Sequence, residues 1–188
     1  MTPFRPTKQQ LLDARDQFVP DVIAPNMRVL FSGINPGLYS AATGHHFARP
    51  GNRFWPALFA GGFTDRLLSP WEEPELLSLR IGITNIVKRT TATADQLDRE
   101  ELIRGGRQLT ARVRRHKPAV LAIVGVGAYR TAFAKPDAKL GLQPHVIGST
   151  RVWVLPNPSG LNAHYQPADL ARLFRQLRRF IDSLPVRR

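Results

Sequence analysis

The chain has 188 residues, 43% of them hydrophobic, with 27 Lys and Arg against 14 Asp and Glu, a formal charge of +13. That length suits one domain with a full core, and zero cysteines exclude disulfides, thiol catalysis, cysteine-ligated zinc and cysteine-held iron–sulfur clusters. The cation surplus favours a polyanionic partner over a merely solubilising surface. Zero cysteines and the lack of a spanning apolar run or a basic-then-apolar leader predict an intracellular protein, cytoplasmic and nucleoid-associated if prokaryotic, with no membrane role.

Residues 1–27 predict an N-terminal helical extension, with a helix over Lys8–Phe18 and a break at Pro25. A catalytic core over 28–182 then opens on the strand Val29–Ser32, which stops at Gly33. From there to Asn52, four glycines with Pro36 and Pro50 predict a long loop outside regular structure. A helix over Arg53–Ala60 ends at Gly61-Gly62, and Ser69-Pro70 turns into a short helix over Glu72–Leu79. Ile81–Val87 reads as a second buried strand, followed by the polar loop Lys88–Asp95.

Asp98 with Glu101 forms a capping box, so a helix is predicted from Arg99 to His116, its polar face carrying Arg104, Arg107, Arg112, Arg114 and Arg115. Gly105-Gly106 inside it costs about 1 kcal/mol per glycine, which implies compensating close packing. Ala119–Val124 is a third strand, continuous in apolar residues as parallel strands are. A short helix over Ala128–Phe133, strands at Val146–Gly148 and Val152–Leu155, the loop Pro156–Leu161 and a helix over Pro167–Leu184 complete the chain. Alternation of strand, loop and helix predicts a three-layer α/β/α sandwich with a short, mainly parallel sheet. The loops 33–52 and 156–165 both follow strands, so they are expected to converge at one rim, where open sheets gather ligand chemistry.

Each loop sets an asparagine beside a proline, a weak signal in isolation. Together G-I-N-P-G-L (33–38), S-A-A-T-G-H-H-F-A-R-P-G-N-R-F-W (40–55), G-I-T-N-I-V (82–87), G-G-R (105–107) and L-P-N-P-S-G-L (155–161) are specific. Over roughly residues 28 to 180 the chain resembles the mismatch-specific uracil-DNA glycosylase and thymine-DNA glycosylase family. The resemblance implies a monofunctional DNA glycosylase of base excision repair. Such an enzyme flips uracil, and other altered pyrimidines such as thymine or ethenocytosine, from mismatched duplex DNA. It implies no cofactor, a double-stranded partner carrying G·U or a similar mismatch, and action as a monomer.

By the same resemblance Asn35 holds the attacking water; a carboxamide orients but cannot take a proton. Phe47 supplies the stacking platform, and Leu161 the wedge that fills the vacated stack. Gly37 stands where uracil-specific relatives carry a tyrosine, and its bareness implies a permissive pocket. Asn157 replaces a histidine of those relatives, and backbone N–H groups near Ile34 and Phe47 would steady the departing base. Ser159, Gly160, Asn162 and Arg49 are expected at the DNA. Arg53 either contacts phosphate or braces the loop, and His45-His46 faces phosphate or base or is simply exposed. Lys88 departs from a position often acidic in the family, which makes Asp95 a second catalytic candidate against the alternative of a solvated turn aspartate. No lysine stands at either asparagine position, so no Schiff-base lyase is expected, and five histidines with none at i, i+4 spacing predict no metal site. A catalytically silent lesion-binding protein, and a nucleotide- or RNA-directed hydrolase, remain as alternatives; the absence of G-K-[ST] after the glycine loop counts against a P-loop NTPase.

Overall fold

Five strands form a sheet in the computed structural model, which describes residues 4–160 and 162–185. They are β1 (Val29–Gly33), β2 (Ile81–Asn85), β3 (Val120–Val124), β4 (Gly141–Ile147) and β5 (Thr150–Leu155), in the order β2-β1-β3-β5-β4. β1 pairs in parallel with β2 and β3, and β3 with β5, whereas β4 runs antiparallel to β5. Among the described residues six α-helices surround them: α1 (Lys8–Asp13), α2 (Leu38–Thr43), α3 (Phe54–Ala60), α4 (Arg99–His116), α5 (Val126–Ala132) and α6 (Pro167–Ser183).

The two-residue period of β1 assigns the layers. Val29 and Phe31 join Phe54, Leu58, Phe174 and Leu177 in one core, so α3 and α6 cover that face. Leu30 points the other way, into a core with Ile86, Leu109, Val113 and Tyr129 that α4 and α5 cover. Phe31 meets Phe54 and Phe63 edge-on at 5.4 Å and stacks on Phe174 at 5.7 Å. Each such buried ring contributes about 1.5–3 kcal/mol. The three-layer sandwich predicted from the sequence is therefore the observed architecture.

The predicted cap of α4 forms, with Glu101 N–H donating to Asp98 Oδ1 at 2.7 Å and Asp98 N–H to Glu101 Oε2 at 3.1 Å. The glycine pair has its packing reason as well. A Cβ on Gly105 would lie 2.7 Å from the Ile86 carbonyl oxygen, and one on Gly106 would collide with that of Ala132. Bare backbone lets α4 touch both the strand exit and α5.

Several boundaries differ from expectation. α1 ends at Asp13 rather than Phe18, β2 ends at Asn85 rather than Val87, and β4 begins at Gly141, well before Val146. α3 begins at Phe54 with Arg53 as its cap, and α5 begins at Val126 and ends at Ala132, short of Phe133. Pro70–Leu77 is a 3₁₀ helix, with Pro74 removing a backbone donor from its interior. The larger correction is α2, inside the stretch expected to be irregular. Gly37 is its N-cap and Gly44, at φ 76°, its left-handed C-cap, so the glycines bracket a helix instead of preventing one. The segment after α1 also lies on the body: Val22 bridges Ile83, Thr90 N–H donates to the Gln17 carbonyl at 3.0 Å, and Val19 is fully buried. It thereby covers the open edge of β2.

Candidate active site

Because β1, β2, β3 and β5 are parallel, their carboxyl ends open on one rim, and a cleft of about 680 Å³ lies there. From the first loop Ile34, Asn35, Gly37, Phe47 and Arg49 line it; from the second, Asn157, Ser159 and Asn162; from the loop after β2, Asp95. The convergence of the two loops is thus observed. Leu161 lies outside the described residues.

Asn35 does not bond its own turn. Its Nδ2 donates to the Arg89 carbonyl at 3.0 Å and to Thr91 Oγ1 at 2.7 Å. Thr91 spends its hydroxyl proton on the Thr93 carbonyl at 2.8 Å, so toward Asn35 it acts as an acceptor. Both partners therefore require the NH₂ group, and the carboxamide can have one orientation only. Its Oδ1, with no hydrogen-bond partner among the described residues, is the atom offered to the cleft. The Thr91 N–H donates in turn to the Pro36 carbonyl at 3.2 Å, tying the two loops on either side of Asn35 together.

A second carboxamide was not singled out from the sequence. Asn85, the last residue of β2, lines the cleft although only 3% exposed. Its Nδ2 donates to His46 Nδ1 at 3.3 Å, while His46 Nε2–H donates to the Pro20 carbonyl at 2.9 Å. The Pro20 acceptor fixes the tautomer, and burial pushes the imidazole down to about 4, so it stays neutral and accepts from Asn85. Asn85 Oδ1 sits against Gly33, where any Cβ would collide with it. This corrects the reading of the histidine pair. His46 is a buried orienting group, and His45 Nδ1 pairs with Glu73 Oε1 at 3.0 Å. Glu73 also accepts from the His46 N–H at 2.9 Å, and burial raises its pKa.

The N-terminal extension thus reaches the site through a main-chain oxygen, that of Pro20. Its Asp21 accepts from Thr84 Oγ1 at 2.6 Å, pairs with Lys88, and lies 3.9 Å from Arg112. Arg112 is therefore not on a solvated helix face; it is half-buried and donates to the Asn85 carbonyl at 2.5 Å. No sequence pattern marks such a network, since its members lie tens of residues apart and one is a backbone carbonyl.

Phe47 is half-buried at φ 53°, a left-handed conformation uncommon for an aromatic residue. Its ring stacks on Phe54 at 4.0 Å between centroids, 17° from parallel. Gly37 leaves open space: a Cβ there would meet nothing within 4 Å. Asp95 is exposed in a one-turn 3₁₀ helix, Ala94–Gln96. The Arg49 side chain is exposed and makes no hydrogen bond or ion pair among the described residues, while its carbonyl accepts from the Asn52 N–H at 2.9 Å.

Arg53 braces the second loop. Its guanidinium donates to the carbonyls of Tyr165, Ser159 and Asn162, each at 2.6 Å, and its own N–H donates to the Pro158 carbonyl at 2.9 Å. Within that loop Asn157 Oδ1 accepts from the Ser159 N–H at 3.0 Å, which commits its oxygen and leaves its Nδ2 as the cleft-facing donor. Asn162 Nδ2 donates to the Asn157 carbonyl at 2.9 Å. Gly160 rests on the first loop, where a Cβ would stand 2.6 Å from the Gly51 carbonyl oxygen.

Comparison with known proteins bears on this arrangement at two levels. The family model described as the uracil DNA glycosylase superfamily matches residues 20–178. The solution NMR structure of a candidate uracil DNA glycosylase from Methanosarcina acetivorans superposes with a TM-score of 0.57 at 20% identity, covering 87% of this chain and 98% of that one. That likeness concerns the fold.

Proposed function

We propose, because this chain belongs to the uracil DNA glycosylase superfamily, that it is a monofunctional, monomeric glycosylase removing uracil and bulkier pyrimidines from mismatches in duplex DNA. The superfamily's chemistry is hydrolysis of the N-glycosyl bond. The observation that carries the finer reading is the locked carboxamide of Asn35, whose Oδ1 alone is left to accept a hydrogen bond from water in the cleft.

The flipped base stacks on Phe47, whose far face is already seated on Phe54. Asn85 Oδ1 accepts from N3–H of uracil or thymine and opposes cytosine, whose N3 is itself an acceptor. Asn157 offers an N–H to a base carbonyl. Empty space at Gly37 admits a C5 substituent. Asn35 Oδ1 positions the water beneath the anomeric carbon without removing its proton. Bond breaking therefore runs ahead of water attack, and the base leaves as an anion steadied by N–H groups at Ile34 and Phe47. Asp95 takes the water's proton late, after the barrier. Residues 159–162, Leu161 among them as wedge, fill the gap in the stack.

Such a site is sensitive to leaving-group acidity. Under enzyme excess, 5-fluorouracil opposite guanine should be released at least tenfold faster than uracil; equal rates would contradict the dissociative scheme. A panel of G·U, A·U, single-stranded U, G·T and ethenocytosine substrates sets the specificity. Tight binding with no excision of any of them would favour the silent lesion-binding alternative.

A further inference from the structure

Behind the loop that carries Phe47 lies a second cavity, of about 430 Å³, which the scheme above does not use. That volume is within the ~300–1,000 Å³ typical of small-ligand sites. Tyr39, Trp55 and Trp71 contribute aromatic rings, Leu67 an apolar edge that is 54% exposed, and Arg5 and Arg49 two cations. Its acidic lining residue, Glu72, is occupied: it accepts from Arg66 at 2.6 Å and from Ser69 at 2.7 Å, and these bonds hold its pKa down to about 2. Phe47, Arg49 and Asn52 line both cavities, so the groove is continuous with the cleft around one loop.

Trp55 is buried beneath the groove, while Tyr39 and Trp71 are half-buried at its surface; such rings, with guanidinium groups beside them and no unneutralised carboxylate, are the elements of a single-strand nucleic-acid site. A purely apolar peptide would have no use for the two arginines, and an acidic peptide none for the rings of Trp71 and Tyr39. We propose that this groove binds an unpaired nucleotide of a single-stranded DNA segment, its base against Trp71 and Tyr39 and its phosphate at Arg49 and Arg5. One strand then threads from the groove past the Phe47 loop to the cleft. With the duplex-directed scheme this inference shares the cleft and the Phe47–Asn52 loop beside it, and it predicts an additional capacity: capture of uracil in single strands, where no opposite base helps hold the DNA.

The chain carries its own reporter. Trp55 and Trp71 line the groove, whereas Trp153, the third tryptophan, packs on Phe180 in the α6 layer. Titration with a deoxyadenosine octamer, which carries no pyrimidine for the cleft, should quench intrinsic fluorescence saturably at low salt. Trp71→Ala and Leu67→Glu should each weaken that binding roughly tenfold, and Asn35→Ala should leave it unchanged. Leu67 is exposed, so its substitution tests the groove without disturbing the core. In single-turnover assays Leu67→Glu should slow excision from single-stranded uracil at sub-saturating enzyme while sparing duplex G·U. No octamer quenching, or quenching indifferent to both substitutions, overturns the groove. Loss of duplex G·U excision in the unsubstituted protein would instead sink the proposed function and leave the octamer result standing.

Discussion

The two rim loops are held in place by opposite means. In the first, side chains anchor into the body: Asn35 to the loop after β2, His46 to Pro20 and Asn85, and Trp55 Nε1 back to the His46 carbonyl at 3.2 Å. In the second, the main chain is gripped from outside, three of its carbonyls by the single guanidinium of Arg53. A pocket that must present acceptors in fixed directions needs each carboxamide oriented by its own partners. A segment that enters DNA, as proposed for the second loop, needs only its path defined, with side chains left free to contact the duplex.

The largest expected effect tests the first kind of anchoring. Asn35→Ala should reduce single-turnover excision of G·U about a thousandfold or more, with mismatch affinity within severalfold of the unsubstituted protein. Parallel loss of affinity would show Asn35 to be a binding group instead. Arg53→Ala removes the guanidinium brace of the second loop and should cost about 3 kcal/mol in urea unfolding, because charge-assisted bonds to carbonyls are strong. It should also lower DNA affinity more than kcat. Arg53→Lys should not rescue either quantity, since one ammonium cannot span three carbonyls. Recovery by lysine would mean that charge alone suffices.

The His46 anchor is tested by pH. Its imidazole titrates near 6.5 when unfolded and at about 4 when folded, so between those values the unfolded chain binds the extra proton. The corresponding stability is fully present above pH 6.5 and is lost as pH falls toward 4, a change of about 3 kcal/mol at most. His46→Ala should flatten this dependence. Gly37→Tyr, set in open space at the cap of α2, should fold normally and reduce thymine and ethenocytosine excision about tenfold relative to uracil. Smallest of all, Asp95→Ala should slow excision by severalfold at most; a loss approaching that of Asn35→Ala would make the carboxylate the general base.

The legible parts of this molecule are those written in short-range pattern. Buried strands announced themselves as apolar runs, α4 by Asp98 and Glu101, and α6 by its Leu170–Ile181 stripe, all of which is buried. Gly37 and Gly44 read as breakers because a glycine that caps a six-residue helix and one that interrupts it look alike without the tertiary contacts. The first half of β4 was hidden by Gly141 and Pro144, which an edge strand tolerates and a central one does not. Within the site, the loop residues were recognisable from their motifs. Asn85 and the role of His46 were not, since both depend on a carbonyl from Pro20, and a backbone oxygen leaves no trace in an amino-acid sequence.

Gly160 against Gly51 sets a dimension of the whole mouth. Two peptide units meet there with no room for even a methyl group, so the span between the jaws is gauged by backbone thickness and not by the choice of residue. The lips can accordingly be redecorated, by altering Gly37, Asn157 or Arg49, while the aperture stays as it is. A change at the contact itself would do the reverse, leaving every chemical group intact but moving the second loop away from the first.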